Sequence, residues 1–285
     1  MTYKSNYHTH TTFCDGKDTP ETMVKKAVEK GFVSLGFSAH SLYPHAAIWH
    51  LPVKNFEAYV QEINRLKTEY KTQLDIFAGF EADYFPMVTE LSKEIYGKLN
   101  ADYVIGSVHY LPVSLKKKAF TVDGSLEEVK NGIETCFNGS GRKYVECYFE
   151  TERQMIKYAT FDFVGHPDLV KIRNPVLHFV DEEAGWYKNE IKQTVRAIAD
   201  ANTFVECNTG GIARNFIQET YPSLFFFSEL YKCNVPVVIN SDAHKAENLD
   251  SAFDIAEKTA RAAGYTESMH LVCKDGQLIW EAKPF

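Results

Sequence analysis

An α/β fold is predicted for this chain, a distorted seven-stranded (β/α) barrel, and three observations predict it. Seven short apolar runs of strand character alternate with segments of helical spacing. Six of those runs end in His, Asp or Glu, where turn chemistry alone favours Gly, Asn, Ser and Pro. No linker interrupts the alternation, so residues 1–285 read as one domain with polar strand ends gathered on one face. Seven strands fall short of the usual eight, which fits a distorted or partly open barrel.

The first run carries Tyr7-His8-Thr9-His10. Side chains at i and i+2 of a strand leave the same face, so both imidazoles can reach one divalent ion. Asp15 follows in a polar turn that Gly16 can close. A helix then starts with Thr19 as N-cap, Pro20 at the first position and Glu21 near the positive helix end, and stops at Gly31. The run 32–37 leads to His40. Residues 55–70 are helical in spacing, through Phe56, Tyr59, Val60, Ile63 and Leu66, and lead to the run 74–80 ending at Glu81. A helix over 87–99 precedes the run 103–108, which ends at His109.

From Gly124 the alternation pauses. Segments 126–137 and 142–158 read as consecutive helices, an insertion rather than a domain boundary. The run 161–165 ends at His166, followed by Lys171 and Arg173. A helix over 186–201 and a strand over 203–208 come next, the strand opening into Thr209-Gly210-Gly211 with Arg214 just beyond. A helix over 222–233 leads to the run 235–241, which ends at Asp242 with His244 two further on. A last helix over 248–263 and a terminal hairpin turning at Asp275-Gly276 complete the chain.

Composition sets bounds. With 45% hydrophobic and 14% aromatic residues the chain can bury a sizeable core. A net charge of −7 disfavours a nucleic-acid track, and Lys116-Lys117-Lys118 reads as a solvated loop. No apolar run is long enough to span a membrane. Six scattered cysteines without a Cys-x-x-Cys pair are expected to be reduced thiols of a cytoplasmic protein. Neither nucleic acid nor membrane is therefore an expected partner, and oligomeric state is left open.

The motifs His8-x-His10, Asp15, His40, Gly79-Phe80-Glu81, Gly106-Ser107-Val108-His109, Gly165-His166-Pro167-Asp168 and Ser241-Asp242-Ala243-His244 resemble, in order and spacing, those of the polymerase-and-histidinol-phosphatase (PHP) family. Within it the chain looks most like the stand-alone histidinol-phosphate phosphatases, sharing their length and Phe13-Cys14-Asp15-Gly16 turn. The resemblance implies a distorted (β/α)7 TIM-like barrel holding three divalent metal ions. By that likeness His8, His10, Glu81 and Asp242 bind the first, and Glu81 bridges to a second held by His109 and His166. Asp15, His40 and His244 bind the third. Asp15 stands where other branches carry His, which shifts the expected metal from Zn toward harder Mn or Fe. The activity implied is hydrolysis of L-histidinol phosphate, as in histidine biosynthesis. Other phosphomonoesters (a nucleotide, a protein phosphotyrosine) and a non-catalytic binding module are the alternatives.

The chemistry is coherent apart from the family. Three divalent ions bring six positive charges and Asp15, Glu81 and Asp242 three negative ones, so about three remain to attract a phosphate dianion and a hydroxide. Arg173 and Arg214, ahead of Lys171, suit a bidentate phosphate clamp, and Asn208 lies close by in sequence. Asp168, Glu206 and Tyr110 are candidates for the organic end of the substrate. Glu206 is read first as a structural hydrogen-bonding residue. His45 and His50 read as solvated loop residues, His178 and His270 as structural, and Phe225 to Phe227 as core.

Overall fold

The computed structural model describes residues 3–115 and 118–285, so Lys116 and Lys117 of the basic run lie outside the described residues. In chain order the elements are β1 (Ser5–Asn6), α1 (Pro20–Glu29), β2 (Ser34–Ser41), α2 (Phe56–Glu69), β3 (Asp75–Asp83), α3 (Lys93–Lys98), β4 (Tyr103–Ser107), β5 (Tyr110–Leu115), β6 (Lys118–Thr121), α4 (Leu126–Cys136) and α5 (Gly141–Tyr158). They continue with β7 (Phe163–Val164), α6 (Asn174–Leu177), α7 (Gly185–Asp200), β8 (Phe204–Asn208), α8 (Gly210–Ala213), α9 (Leu224–Lys232), β9 (Val237–Asn240), α10 (Phe253–Ala263), β10 (Glu267–Lys274) and β11 (Gln277–Pro284).

Seven strands form one parallel sheet in the order β1-β2-β3-β4-β7-β8-β9. The two edges meet just past the ends of β1 and β9. There Thr9 bridges Ala243 in parallel, the His10 amide donates to the Ala243 carbonyl at 2.8 Å, and the Ala243 amide donates to that of His8 at 3.1 Å. The seam is therefore closed at the level of the His-x-His motif. A barrel with its strands' C-terminal ends on one face follows, as the alternation predicts.

One tyrosine sets the interior. The Tyr103 hydroxyl lies within hydrogen-bonding distance of the carbonyls of Tyr7 (2.6 Å) and Phe37 (2.9 Å), across the barrel from its own strand. A Cβ at Gly36 would lie 2.5 Å from that hydroxyl, and one at Gly79 2.4 Å from the ring, so these strand glycines make room for it. Below, Tyr7, Phe77, Phe163, Phe204 and Val238 form a buried cluster with Leu271 of the terminal hairpin. Trp280 of β11 packs edge-on against Tyr7 and Phe204 at 5.0 and 4.9 Å. The β10–β11 hairpin thus plugs the N-terminal end of the barrel, leaving the opposite mouth for chemistry.

The capping signals around α1 hold: Thr19 accepts from the Thr22 amide, Pro20 starts the helix and Gly31 takes φ +72° just after it. The insertion helices also fall where expected, α4 opening with a capping box between Ser125 and Glu128. Three expectations change. The helix over 87–99 shrinks to α3, because residues 85–89 close a local turn through Thr89 and Phe85, and Met87 is left-handed and fully exposed. The last helix starts at Phe253 rather than 248, behind a short 3-10 turn and a left-handed Ala252. The antiparallel β5–β6 hairpin was not expected, since Lys118, read as part of a solvated loop, opens β6 and pairs with Leu115. Among the described residues no helix is long and apolar enough to cross a membrane.

Candidate metal centre

At the barrel mouth the polar strand ends converge. His8 Nε2 and His10 Nε2 lie 3.0 and 3.4 Å from Glu81 Oε2, and 3.8 and 3.3 Å from Asp242 Oδ1. His166 Nε2 is 2.8 Å and His109 Nε2 3.6 Å from the other Glu81 oxygen. Glu81 therefore stands between two groups of imidazoles. Asp15 approaches His244 Nε2 at 3.1 Å, His40 Nε2 at 3.7 Å and His10 Nδ1 at 3.9 Å.

Several of these atoms sit close together without hydrogen bonding. His8 Nε2, His10 Nε2, His40 Nδ1, Asp15 Oδ1 and Glu81 Oε2 are buried and have no hydrogen-bond partner. Leaving so many polar atoms unsatisfied in one place is costly unless something else binds them. Ligand atoms about 2 Å from a shared ion stand roughly 3.3 Å from one another, the spacing seen here. Three sets meet the demands of a metal: His10, Asp15, His40 and His244; His8, His10 and Asp242; and His8, Glu81 and His166. A fourth grouping of His40, Asp83 and His109 is better read as support, because both Asp83 oxygens are already hydrogen-bonded.

Electrostatics agree. Burial would raise the Glu81 carboxyl, but His8, His40 and His109 hold it well below the usual carboxylate range. Burial likewise opposes ionisation of Asp242, and Arg214 and His8 override it. His10 is driven down to about 3 by burial and by the neighbouring His40 and His244, so it stays neutral with a lone pair to give.

A layer behind the ligands fixes their orientation. Glu206, two residues before the end of β8, accepts from His8 Nδ1 at 2.9 Å and so turns Nε2 inward. It also accepts from the His166 amide at 2.8 Å. Asp83 accepts from His109 Nδ1 at 2.6 Å and from His50 Nε2 at 2.7 Å. Burial works against the Asp83 charge, yet His109 and His50 bring its carboxyl down to about 2.

The cavity above the centre has a volume of about 480 Å³ and includes both arginines in its wall. Arg214 donates to Asp242 Oδ2 at 2.9 Å and meets His244 Nδ1 at 3.2 Å. Arg173 is held from behind, donating to the carbonyls of Gly124 (2.8 Å) and Asp123 (2.9 Å). Phe216 lies beneath both guanidinium groups, 4.4 Å from that of Arg173 and 6.0 Å from that of Arg214.

Five expectations need correction. Lys171 is fully buried and does not line the cavity: it pairs with Asp168 at 2.8 Å and Glu219 at 2.9 Å. Burial alone would lower its pKa, and those two carboxylates raise it instead. Asn208 is buried too, donating to Glu206 and accepting from the Gly210 amide. Asp168 is spent on Lys171, so it cannot meet the organic end of a substrate, whereas Glu206 bonds to His8 as its structural reading expects. Tyr110 is also outside the cavity, stacked between Trp49 and Phe85. His50, expected in solvent, is 2% exposed and bonded to Asp83.

The sequence reading missed Asp83, Trp49, Asp123 and Phe216. Asp83 carried a signal, since it follows Glu81 by two on one strand and must face the same way. The other three come from loops and the insertion, where no periodicity marks a side chain for the site.

A parallel barrel with a cluster of His, Asp and Glu at its C-terminal mouth is the framework of a metal-dependent hydrolase. The chain belongs to the PHP domain family, whose model matches residues 6–210, which makes it a metal-dependent phosphoesterase. The chain is 29% identical to the probable histidinol-phosphatase of Deinococcus radiodurans, over 93% of this chain and 95% of that one. It is 27% identical to the histidinol-phosphatase of Bacillus subtilis, with 88% and 97% covered. Among solved structures, the histidinol phosphate phosphatase of Lactococcus lactis, a complex with Zn, L-histidinol and phosphate, superposes with a TM-score of 0.67. That match has 19% identity and covers 97% of this chain and 98% of that one.

Proposed function

We propose that this enzyme hydrolyses L-histidinol phosphate to L-histidinol and phosphate, using three divalent metal ions. The observation that carries the chemistry is the set of buried, partnerless ligand atoms facing one volume beside Arg173 and Arg214. The substrate comes from the relatives, since the histidinol-phosphatases of Deinococcus radiodurans and Bacillus subtilis align over nearly their whole length.

In this reading His8, His10, Glu81 and Asp242 hold one ion, Glu81, His109 and His166 a second, and Asp15, His40 and His244 the third. When bound, the ions acidify water and neutralise phosphoryl oxygens. The chain does the rest. Glu206 and Asp83 keep the protons of His8 and His109 on Nδ1, so that each presents Nε2 to the centre. Arg173 and Arg214 receive the phosphoryl oxygens, and the fixed carbonyls behind Arg173 spare it the entropy of ordering at each turnover. Trp49, Leu169, Ile172 and Phe216 form the apolar part of the wall and limit water around the ester. Zn is the ion in the Lactococcus lactis structure, while the carboxylate of Asp15 favours Mn or Fe at the third site.

Steady-state kinetics with L-histidinol phosphate and a panel of phosphomonoesters, on protein whose metal content is measured in parallel, tests this. The expected outcome is close to three equivalents of metal and a preference of orders of magnitude for histidinol phosphate. Fewer than two equivalents would overturn the metal assignment. Equal turnover of histidinol phosphate and phenyl phosphate would overturn the substrate.

A further inference from the structure

Arginines and metal ions grip any phosphate alike, so selectivity must come from groups that meet the rest of the substrate. In histidinol phosphate the ammonium sits on the carbon next to the ester-bearing one. Whatever binds it must stand beside the phosphate clamp and carry negative charge. Five carboxylates line the cavity: Asp15, Glu81, Asp242, Asp123 and Glu128. The first three face the histidines and Arg214. Glu128 sits on the exposed rim, its carboxylate accepting from the Ser125 amide at 2.8 Å in the helix cap. Asp123 is different. It is half-buried, and no hydrogen bond or ion pair among the described residues engages its carboxylate.

The position of Asp123 is fixed on both sides. The adjacent Val122 is fully buried and its amide donates to the His109 carbonyl at 2.9 Å. The carbonyls of Asp123 and Gly124 receive the Arg173 guanidinium. The segment is thus anchored to a strand end of the metal centre and to the phosphate clamp, and the Asp123 charge is felt at both His109 and Arg214. A rigidly placed carboxylate with no partner among the described residues, between a ligand histidine and two phosphate-binding arginines, is suited to a cation covalently tied to a phosphate.

We propose that Asp123 recognises the ammonium group adjacent to the phosphate ester, making the site selective for phosphate monoesters of 2-amino alcohols. This rests on the histidinol phosphate reading but goes beyond it, because it assigns the selectivity to one residue of the turn between β6 and α4.

The test uses two matched pairs on the metal-loaded enzyme: phosphoethanolamine against ethyl phosphate, which lacks only the ammonium, and histidinol phosphate against phenyl phosphate. The wild type is expected to favour the ammonium-bearing member of each pair. In Asp123→Asn the ratio of kcat/KM values within each pair should fall by about 30-fold, the scale of losing a charge-assisted hydrogen bond, and Asp123→Glu should recover part of it. An unchanged ratio, or an equal fall for both members, would overturn the proposal, the second pointing to a purely structural hold on Arg173. The two readings separate cleanly. If the wild type favours phosphoethanolamine over ethyl phosphate but not histidinol phosphate over phenyl phosphate, the substrate assignment falls and the ammonium site stands. If it favours histidinol phosphate and Asp123→Asn keeps that preference, only the role of Asp123 falls.

Discussion

Replacing Glu206 by Gln is the smallest change that asks whether the layer behind the ligands holds the metal centre. Glu206 is fully buried. Its Oε1 accepts from the His166 amide (2.8 Å) and Asn208 Nδ2 (2.9 Å), and its Oε2 from His8 Nδ1 (2.9 Å) and Asn240 Nδ2 (3.0 Å). Glutamine keeps the shape but turns one of those oxygens into an NH2 group, and either orientation sets it against donors. The two asparagines cannot simply flip, because Asn208 Oδ1 accepts from the Gly210 amide and Asn240 Oδ1 from that of Tyr7. If the new NH2 faces His8, relief requires moving the imidazole proton to Nε2, the atom aimed at the metal. The loss is at least one charge-assisted hydrogen bond in a dry site, about 2 kcal/mol. For a domain of this size that lowers Tm by roughly 3 °C. Disturbing the partner of a ligand histidine should also weaken metal binding by about 10- to 100-fold. Chelator competition gives the affinity and calorimetry the Tm. Metal affinity within twofold of wild type together with an unchanged Tm would refute the role given to Glu206.

Two further outcomes are expected. Arg173→Ala and Arg214→Ala should each lower kcat/KM by about 30-fold, near 2 kcal/mol of transition-state stabilisation. Arg173→Ala should keep its full metal content, whereas Arg214→Ala should release metal more readily, since that guanidinium also pairs with Asp242; elemental analysis beside kinetics separates the two. Far from the centre, His270 is buried between Ser5 and Ser268, and burial, with a smaller push from Lys283, brings its pKa down to about 4. A depressed pKa means that its contribution is full above the unfolded value near 6.5 and is lost as pH falls through 4, up to about 3 kcal/mol. Denaturant melts of wild type and His270→Gln should therefore converge between pH 6.5 and 4, while protonation of the metal ligands affects both alike; parallel curves would count against it.

Much of this was legible in the sequence because it depends on short-range rules. Thr19, Pro20 and Gly31 bound α1 through local capping chemistry. The apolar runs became parallel strands, since strand and helix periods can be read one segment at a time. The spacing of His8 and His10 already required that both imidazoles face one way, and both meet Glu81 and Asp242.

Other features needed the fold. Lys171, Arg173 and Arg214 are all basic residues following strand ends, and nothing local distinguishes them. Only the packing sends Lys171 inward to Asp168 and Glu219 while the two arginines line the cavity. Asp168 looks like a substrate-binding carboxylate in sequence, yet it meets Lys171 across a turn, and the partner of the structural Glu206, His8 across the barrel, is named only by the fold. Asp123 is the reverse case. It lies just after β6, where the sequence pattern marks no strand, and it reaches the mouth because the unexpected β5–β6 hairpin is tied back to His109 and Arg173. Period and capping depend on neighbours within a few residues, so a sequence fixes them directly. Which of two like charges faces a cavity depends on contacts tens to hundreds of residues apart, and those exist only once the barrel has closed.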